Sequence, residues 1–177
     1  MKKIKNLISI LSIAIAVMLF ASCNSSNTSS SNAPVAYTAP AATTPSYNPK
    51  VDPAAPVSSI NLEVDGNTMD VIHFSPDKLT LKAGTTAKIH FKNNSVDEAM
   101  QHNFVLIYDS TGQAVATAAI PVPNHLPNSE SILFGIPSIK PGKDTTFEFA
   151  APPAGTYQFI CTYPGHYPKM VGTLIVQ

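Results

Sequence analysis

Three side chains able to bind a metal ion lie within ten residues near the end of the sequence. They are Cys161, His166 and Met170, in the stretch CTYPGHYPKM, and they offer a thiolate, an imidazole and a thioether. Taken singly, a cysteine or a methionine is more often a buried apolar side chain than a ligand. Together, at this spacing in one short loop, they predict a metal site.

A fourth donor, His102, lies about 60 residues upstream in QHNFVL, where it begins a predicted strand. Two imidazoles, a thiolate and a long axial thioether form the trigonal site that holds copper in electron-transfer proteins. Such a mixed set suits neither Cu(I) nor Cu(II) fully, so the oxidation state can change with little movement of the ligands. Structural zinc fits less well because it requires four strong donors. A dinuclear copper site would need a second cysteine in this loop.

Cys161 has no partner for a disulfide, although the chain is predicted to be exported. The other cysteine, Cys23, closes the segment LFASC, which resembles a bacterial lipobox whose cysteine is lipidated. A lone thiol in an oxidising compartment is a liability unless it is buried or occupied. A metal ion bound to Cys161 would occupy it.

The first 22 residues are predicted to be a lipoprotein signal peptide. Lysines precede an apolar run from Leu7 to Phe20, which is shorter than the ~20 residues of a membrane-spanning helix. Residues 23–59 follow as the lipidated Cys23 and a disordered tether rich in Ser, Thr, Ala and Pro, able to span roughly 35 Å. An ordinary secretory signal with a chance cysteine is the alternative.

Both versions of the leader predict an exported protein of the bacterial cell envelope. A lipidated Cys23 would place the domain at the periplasmic face of a membrane. Asn24 stands where some bacteria use an aspartate for inner-membrane retention, which slightly favours the outer membrane.

Residues 60–177 remain for one globular domain. They contain seven lysines, no arginine and ten aspartates or glutamates, a net charge of about −3. A mildly acidic domain without arginine argues against nucleic acid as a partner.

Short β-strands punctuated by Gly and Pro are predicted throughout this domain. The runs TAKIHFKN and DTTFEFA alternate apolar with polar residues, as strands with one buried face do. The other candidates are INLEV, MDVIHF, KLTLKA, NFVLIYD, SILFG, GTYQFICT and VGTLIV. The pattern predicts an all-β sandwich or barrel. Residues 110–130 interrupt it, with an Ala-rich first half predicted to be a short helix and a Pro-rich second half predicted to be a loop.

The ligand loop and its flanking strands resemble those of the cupredoxins, the type 1 blue copper proteins, in their azurin and auracyanin branch. The resemblance rests on Cys-x4-His-x3-Met within PPAGTYQFICTYPGHYPKMVGTLIV, on MQHNFVL and on HFSPDKLTLKAGTTAKIHFKNNS, and it covers the whole domain. It implies a Greek-key β-sandwich and one copper ion that alternates between Cu(I) and Cu(II). The implied ligands are His102, Cys161, His166 and Met170, with the backbone carbonyl of Gln101 as a weak further contact.

The same resemblance implies roles for residues around the ligands. Asn103 matches an asparagine whose hydrogen bonds tie the two ligand segments together, and Tyr157 matches a tyrosine of the scaffold. The ring edge of the second histidine, here His166, is expected to reach the surface through an apolar docking patch. That patch would consist of Tyr163, Pro164, Tyr167, Pro168 and Leu126.

These features are interpreted as a membrane-tethered, monomeric electron carrier and not an enzyme. The expected partners are membrane-bound or periplasmic redox proteins such as cytochromes or oxidases, which dock through small and weak interfaces. His125, in PNHLPN, is expected near the copper end. Modulation of docking by its protonation is one hypothesis, and a loop residue without a functional role is the alternative.

Two other functions are open at this point. The protein would be a periplasmic copper buffering or delivery protein if its metal exchanges readily, although such proteins usually carry exposed Met- or His-rich clusters. It would be a surface adhesion module if the domain binds no metal.

Overall fold

The computed structural model describes residues 47–108 and 110–177. The predicted signal peptide, the predicted lipidation site Cys23 and the predicted tether up to residue 46 lie outside this part of the chain. None of the described helices is long and apolar enough to cross a membrane.

The described chain forms two mixed β-sheets with one helix between strands of the second sheet. The four-stranded sheet has the order β2-β1-β4-β7 and the five-stranded sheet the order β3-β9-β8-β5-β6. The strands are β1 Val57–Asp65, β2 His73–Ser75, β3 Lys78–Leu81, β4 Thr86–Asn93, β5 Val105–Ile107, β6 Ile132–Gly135, β7 Asp144–Ala150, β8 Gly155–Ile160 and β9 Val171–Val176. The helix is α1, Gly112–Ala119, and a 3-10 turn follows at Pro123–His125.

Alternating side chains join the two sheets into one core. In β4, Ala87, Ile89 and Phe91 are buried while Lys88 and Lys92 point to solvent, because successive strand residues face opposite sides. The core between the sheets is rich in phenylalanine, and its fully buried members include Phe74, Phe91, Phe104, Phe149 and Phe159. The predicted all-β sandwich is therefore confirmed.

The segment 110–130 behaves as its composition indicates. Its Ala-rich first half forms α1, whose Val115 packs on Val105, Ile107 and Ile160, on the face of the five-stranded sheet turned away from the main core. The Pro-rich second half is a loop containing the 3-10 turn.

The predicted strand MDVIHF is mostly wrong. Only His73 and Phe74 belong to a strand, β2. The backbone N–H groups of Val71 and Ile72 both donate to the carbonyl of Thr68, so the chain turns before it can pair with β1. Exposed Val71 thereby remains outside the sheet.

The folded domain begins before residue 60, where the tether was predicted to end. Strand β1 starts at Val57 and pairs in parallel with β4 from Thr86 onward. Further upstream, the Tyr47 hydroxyl donates to the carbonyl of Ala150, and Ala150 N–H donates to the carbonyl of Pro49. The last part of the predicted tether is therefore an integral part of the fold.

The sheet topology brings four chain segments to one end of the sandwich. Strands β1 and β4 are parallel and end there, at Asp65 and Asn93. Strand β8 also ends there, directly before Cys161, and β9 begins there, directly after Met170. The connections at this end, called the site end below, hold the predicted ligands.

Candidate metal centre

The loop between β8 and β9 carries three of the four predicted ligands. Its ends are closed by a hydrogen bond from Cys161 N–H to the carbonyl of Met170 (3.1 Å). Within it, Met170 N–H donates to the carbonyl of His166 (3.0 Å), and His166 N–H donates to that of Tyr163 (3.0 Å). The loop is thus a chain of tight turns whose backbone bonds fix the three side chains relative to one another.

His102 lies on the connection between β4 and β5, and two backbone hydrogen bonds with Ile139 hold it in place. Its N–H donates to the carbonyl of Ile139 (3.2 Å), and Ile139 N–H donates to the carbonyl of His102 (2.8 Å). One ring nitrogen, Nε2, lies 3.4 Å from Ser95 Oγ. The other nitrogen, Nδ1, is therefore the one turned toward Cys161.

The donor atoms of His102, Cys161 and His166 converge in a buried cluster. The two Nδ1 atoms are 3.1 Å apart, and Cys161 Sγ lies 3.5 Å from Nδ1 of His166 and 3.9 Å from Nδ1 of His102. These three residues are the one group of three or more potential ligands of this kind among the described residues. Two imidazole nitrogens and a thiolate sulfur at this spacing fit a copper ion.

Met170, the predicted axial ligand, is fully buried at the closed end of the loop. Gln101 is half-buried beside His102. The contact of Met170 sulfur and of the Gln101 carbonyl with copper stays a prediction.

Burial sets the protonation of the cluster. It lowers the pKa of His102 to about 3 and that of His166 to about 4, with the neighbouring imidazoles adding to the effect. Burial raises the pKa of the Cys161 thiol to about 12, against the opposing effect of backbone N–H groups. Near neutral pH the two imidazoles are therefore neutral and ready to bind a metal, whereas the thiol must lose a proton.

Asn103 ties the two ligand segments together, as the resemblance implied. Its Nδ2 donates to Thr162 Oγ1 (2.8 Å), and its Oδ1 accepts a hydrogen bond from Thr162 N–H (2.8 Å). The His125 carbonyl completes the network by accepting hydrogen bonds from Asn103 Nδ2 (3.1 Å) and from the Thr162 hydroxyl.

The sequence does not predict the contact of Ser95 with His102, nor the hydrogen bonds by which Thr162, a residue of the ligand loop, is joined to Asn103. Thr162 follows Cys161 directly, so its position next to a ligand was a usable signal. No pattern marks Ser95, because its contact with His102 depends on how the connection between β4 and β5 folds.

The expected exposure of the His166 ring is wrong. His166 is only 1% exposed, because the Tyr163 ring packs over it with the ring centroids 4.8 Å apart. The Tyr163 ring also meets the His125 ring in an edge-on contact, with the ring centroids 4.7 Å apart. Tyr163, which is itself half-buried, is therefore an aromatic ring that packs against both histidines.

The remaining members of the predicted docking patch fall into two groups. Pro164 and Pro168 are exposed on the ligand loop. Tyr167 and Leu126 are half-buried and pack against the cluster beneath α1, so only part of each faces solvent. His125 lies at the site end as expected, and its role in docking stays a prediction.

The fold and the donor set together define the class of protein. The family model of copper binding proteins, plastocyanin/azurin family, matches residues 59–177, and the chain belongs to this family of blue copper electron-transfer proteins. Copper is its cofactor, and His102, Cys161 and His166 form the candidate copper site.

Within the family the chain is similar to auracyanins. Auracyanin-A of Chloroflexus aurantiacus is 38% identical over 123 residues, which cover 66% of this chain and 74% of the relative. Auracyanin-B of the same organism is 35% identical over 114 residues, 60% of this chain, which spans about half (48%) of that relative. The solved structure of auracyanin A, described as a "blue" copper protein, has a TM-score of 0.61 and 35% identity, covering 68% of this chain and 99% of the other.

Proposed function

We propose that this protein is a membrane-tethered carrier of single electrons whose copper is held by His102, Cys161, His166 and Met170. The observation that carries the proposal is the convergence of two imidazole nitrogens and one sulfur within 3.9 Å of one another in a buried pocket. We infer that Met170, which is fully buried at the closed end of the same loop, supplies the fourth, weaker donor.

When bound, copper supplies the one-electron couple Cu(II)/Cu(I). The chain's contribution is to hold the donor atoms still. The backbone bonds of the ligand loop, the paired bonds between His102 and Ile139, and the Asn103 network restrain both ligand segments. Burial keeps water away from the cluster, so little rearrangement has to accompany a change of charge.

The lipidated Cys23 and the tether that follows it would keep the carrier close to membrane-bound partners. A tethered domain meets such partners at a raised effective concentration, which suits weak and brief docking. Cytochromes or oxidases at the periplasmic face of the membrane are the proposed donors and acceptors. The exported location and the anchor are parts of this proposal.

Adding Cu(II) to purified metal-free protein tests the copper site. We expect an intense thiolate-to-copper absorption band that is absent in Cys161→Ser. Reversible one-electron voltammetry with the copper retained after many cycles supports the carrier. A colourless product contradicts the copper site, and rapid loss of the metal to a mild chelator favours a buffering or delivery protein.

The anchor is tested separately by mass spectrometry of the protein from a bacterial membrane fraction. We expect cleavage before Cys23 and an acyl-modified amino terminus, with Cys23→Ala releasing the protein into the soluble periplasmic fraction. An unmodified amino terminus contradicts the tether and leaves the copper site unaffected.

A further inference from the structure

The ring nitrogen of His102 that is turned away from the candidate copper site, Nε2, faces a buried serine. We propose that Ser95 is a positioning residue for this ligand: its hydroxyl accepts the Nε2 proton of His102 and so keeps Nδ1 unprotonated and facing the metal. The inference rests on the proposed function, because it concerns a copper ligand, and it adds the residue that decides how this ligand is presented.

The polarity of the Ser95 hydroxyl is fixed by its second contact. Ser95 Oγ lies 2.7 Å from the carbonyl oxygen of Gly66, to which it can only donate, since a carbonyl has no proton. A hydroxyl has one proton, so only a lone pair is left to face Nε2 of His102, 3.4 Å away. This contact is longer than an N–H···O bond of about 2.7–3.2 Å, yet its direction follows from the shorter one. Nε2 carries the proton and Ser95 accepts it.

The carbonyl that orients the hydroxyl belongs to a turn with little conformational freedom. Gly66 has a φ of +100°, which L side chains rarely adopt, and a Cβ atom there would lie 2.6 Å from the carbonyl oxygen of Val71. The N–H of Val71 in turn donates to the carbonyl of Thr68 (3.1 Å). Ser95 therefore donates to an acceptor whose position is set by the backbone of the turn.

The backbone of Ser95 is held by a fully buried amide, that of Asn93. Its Oδ1 accepts a hydrogen bond from Ser95 N–H (3.0 Å), and its Nδ2 donates to the carbonyls of Met100 (2.8 Å) and Ile139 (3.3 Å). The carbonyl of Ile139 also accepts the hydrogen bond from His102 N–H. One amide therefore connects the backbone that holds His102 with the serine that faces its ring.

No other group in the described part of the chain competes with Ser95 for the Nε2 proton. His102 and Ser95 are 0% and 1% exposed, so bulk solvent does not reach the contact. Among the described residues, Ser95 Oγ is the polar atom within hydrogen-bond distance of Nε2. Because a buried N–H without an acceptor is costly, the proton favours Nε2 only while the hydroxyl is present.

The alternative position for the proton is the nitrogen that faces the metal. Nδ1 of His102 lies 3.1 Å from Nδ1 of His166, to which it would donate if the proton were there. That tautomer offers no lone pair of His102 to copper, so the proton would have to move before the metal could bind. Ser95 removes this step by holding the proton on the far side of the ring, and such outer hydrogen bonds also make the imidazole a more basic ligand.

Ser95→Ala tests the proposal because it removes only the hydroxyl. Side-chain nitrogen NMR of isotope-labelled, metal-free protein reads the tautomer directly. We expect His102 to carry its proton on Nε2 in the native protein and on Nδ1 in a large fraction of Ser95→Ala molecules. The copper affinity, measured against a competing chelator, should fall about 10- to 100-fold. Voltammetry should show a higher reduction potential, because a less basic imidazole stabilises Cu(II) less.

Two further variants separate this role from a contribution to stability alone. Ser95→Thr keeps the hydroxyl and should restore the native tautomer, copper affinity and potential. The matched control is Thr85→Val, because the Thr85 hydroxyl likewise donates to a loop carbonyl, that of Lys82 (2.8 Å), at the opposite end of β4. Thr85→Val should lower the free energy of unfolding, as Ser95→Ala does, and leave the tautomer, the copper affinity and the potential unchanged.

Three results would overturn the role of Ser95. A proton on Nδ1 of His102 in the native protein would contradict it without any variant. Native tautomer, affinity and potential in Ser95→Ala would show that the hydroxyl serves only the fold, and equal changes in Thr85→Val would show that they arise from general destabilisation. In each case an intense thiolate-to-copper band in the native protein would show that the copper site itself stands, whereas its absence would contradict the proposed function.

Discussion

Asn103 and Thr162 exchange two hydrogen bonds of 2.8 Å each, one through the Thr162 hydroxyl and one through its backbone N–H. These residues directly follow His102 and Cys161 in the chain. The pair therefore joins two ligands that lie far apart in sequence, and it sets the distance between the segments that carry them.

Removal of the Asn103 amide should loosen this connection. In Asn103→Leu the buried N–H of Thr162 loses its acceptor, which costs about 1–3 kcal/mol of the free energy of unfolding. Urea denaturation of the copper-loaded protein measures this loss, and voltammetry should show a shifted reduction potential. Thr162→Ser, which keeps both bonds, serves as the control, and an Asn103→Leu protein with native stability and potential would contradict the role of the pair.

Metal loading should release about one proton. The pKa of about 12 for the Cys161 thiol and those of about 3 and 4 for His102 and His166 mean that only the thiol is protonated between pH 5.5 and 7.5. Titration of metal-free protein with Cu(II) in weak buffer measures the release. About one proton at both ends of this range is expected, and release that grows toward pH 5.5 would show that the imidazoles titrate near their usual pKa.

The same shifts predict how the stability of the metal-free protein depends on pH. Below about pH 6.5 the unfolded histidines bind protons that buried His102 and His166 do not, so the free energy of unfolding falls as the pH drops toward 4. Above about pH 9 the unfolded chain loses the thiol proton that folded Cys161 retains, so the free energy falls again. Chemical denaturation across pH checks this. Cys161→Ala should remove the decline between about pH 9 and 10 and leave the acid decline, whereas above about pH 10 Tyr47 and Tyr157, whose pKa values burial also raises, add a decline of their own.

Replacement of Met170 should change the electron affinity of the site more than its stability. Met170→Leu keeps a buried side chain of similar volume, so the free energy of unfolding should change by less than about 1.5 kcal/mol. Loss of the thioether removes electron donation to the metal, and the more highly charged Cu(II) loses more stabilisation than Cu(I) does. The reduction potential should therefore rise while the thiolate band persists. An unchanged potential would contradict an axial contact.

Tyr163 should govern access to the ligand beneath it. Tyr163→Ala uncovers the His166 ring, and copper removal by a chelator should accelerate by about tenfold, in line with the loss of a supporting contact at a metal site. Tyr163→Phe keeps the ring and should keep the native rate. Equal rates in the alanine variant and the native protein would show that the metal leaves by another route.

Tyr47 should stabilise the domain although it lies in the predicted tether. Tyr47→Phe removes the hydrogen bond to the Ala150 carbonyl and should lower the free energy of unfolding by about 0.5–1.5 kcal/mol. Asn48→Ala removes only an exposed local bond to Lys50 N–H and provides the control. Native stability of the phenylalanine variant would argue that this segment adds nothing to the fold.

The sandwich and the ligand cluster can be predicted from the sequence because both depend on patterns within short segments. Strands such as TAKIHFKN and VGTLIV keep their predicted ends, since alternation and flanking turn residues define them. Donor residues at fixed spacing likewise identify the site without reference to the fold.

Features that depend on contacts between distant segments cannot be predicted from the residues of one segment alone. The first residues of β1, at positions 57–59, include two serines and do not look like a strand. They form one because β4 lies beside them as a parallel partner, which composition does not reveal. The covered His166 ring depends on the side-chain packing of Tyr163, and the turn at Thr68 depends on two backbone bonds to a single carbonyl. In each case the local pattern was compatible with more than one outcome.

The position of β9 has a consequence for the order in which the site can form. This strand lies between β3 and β8 in the interior of the five-stranded sheet, and it directly follows the loop that carries three of the four proposed ligands. Its pairing with β3 joins segments that are far apart in the chain, with Lys78 opposite Thr173. A chain in which β9 has not yet paired lacks both an inner strand of this sheet and a closed ligand loop, so the ligand set is complete only once the sheet is.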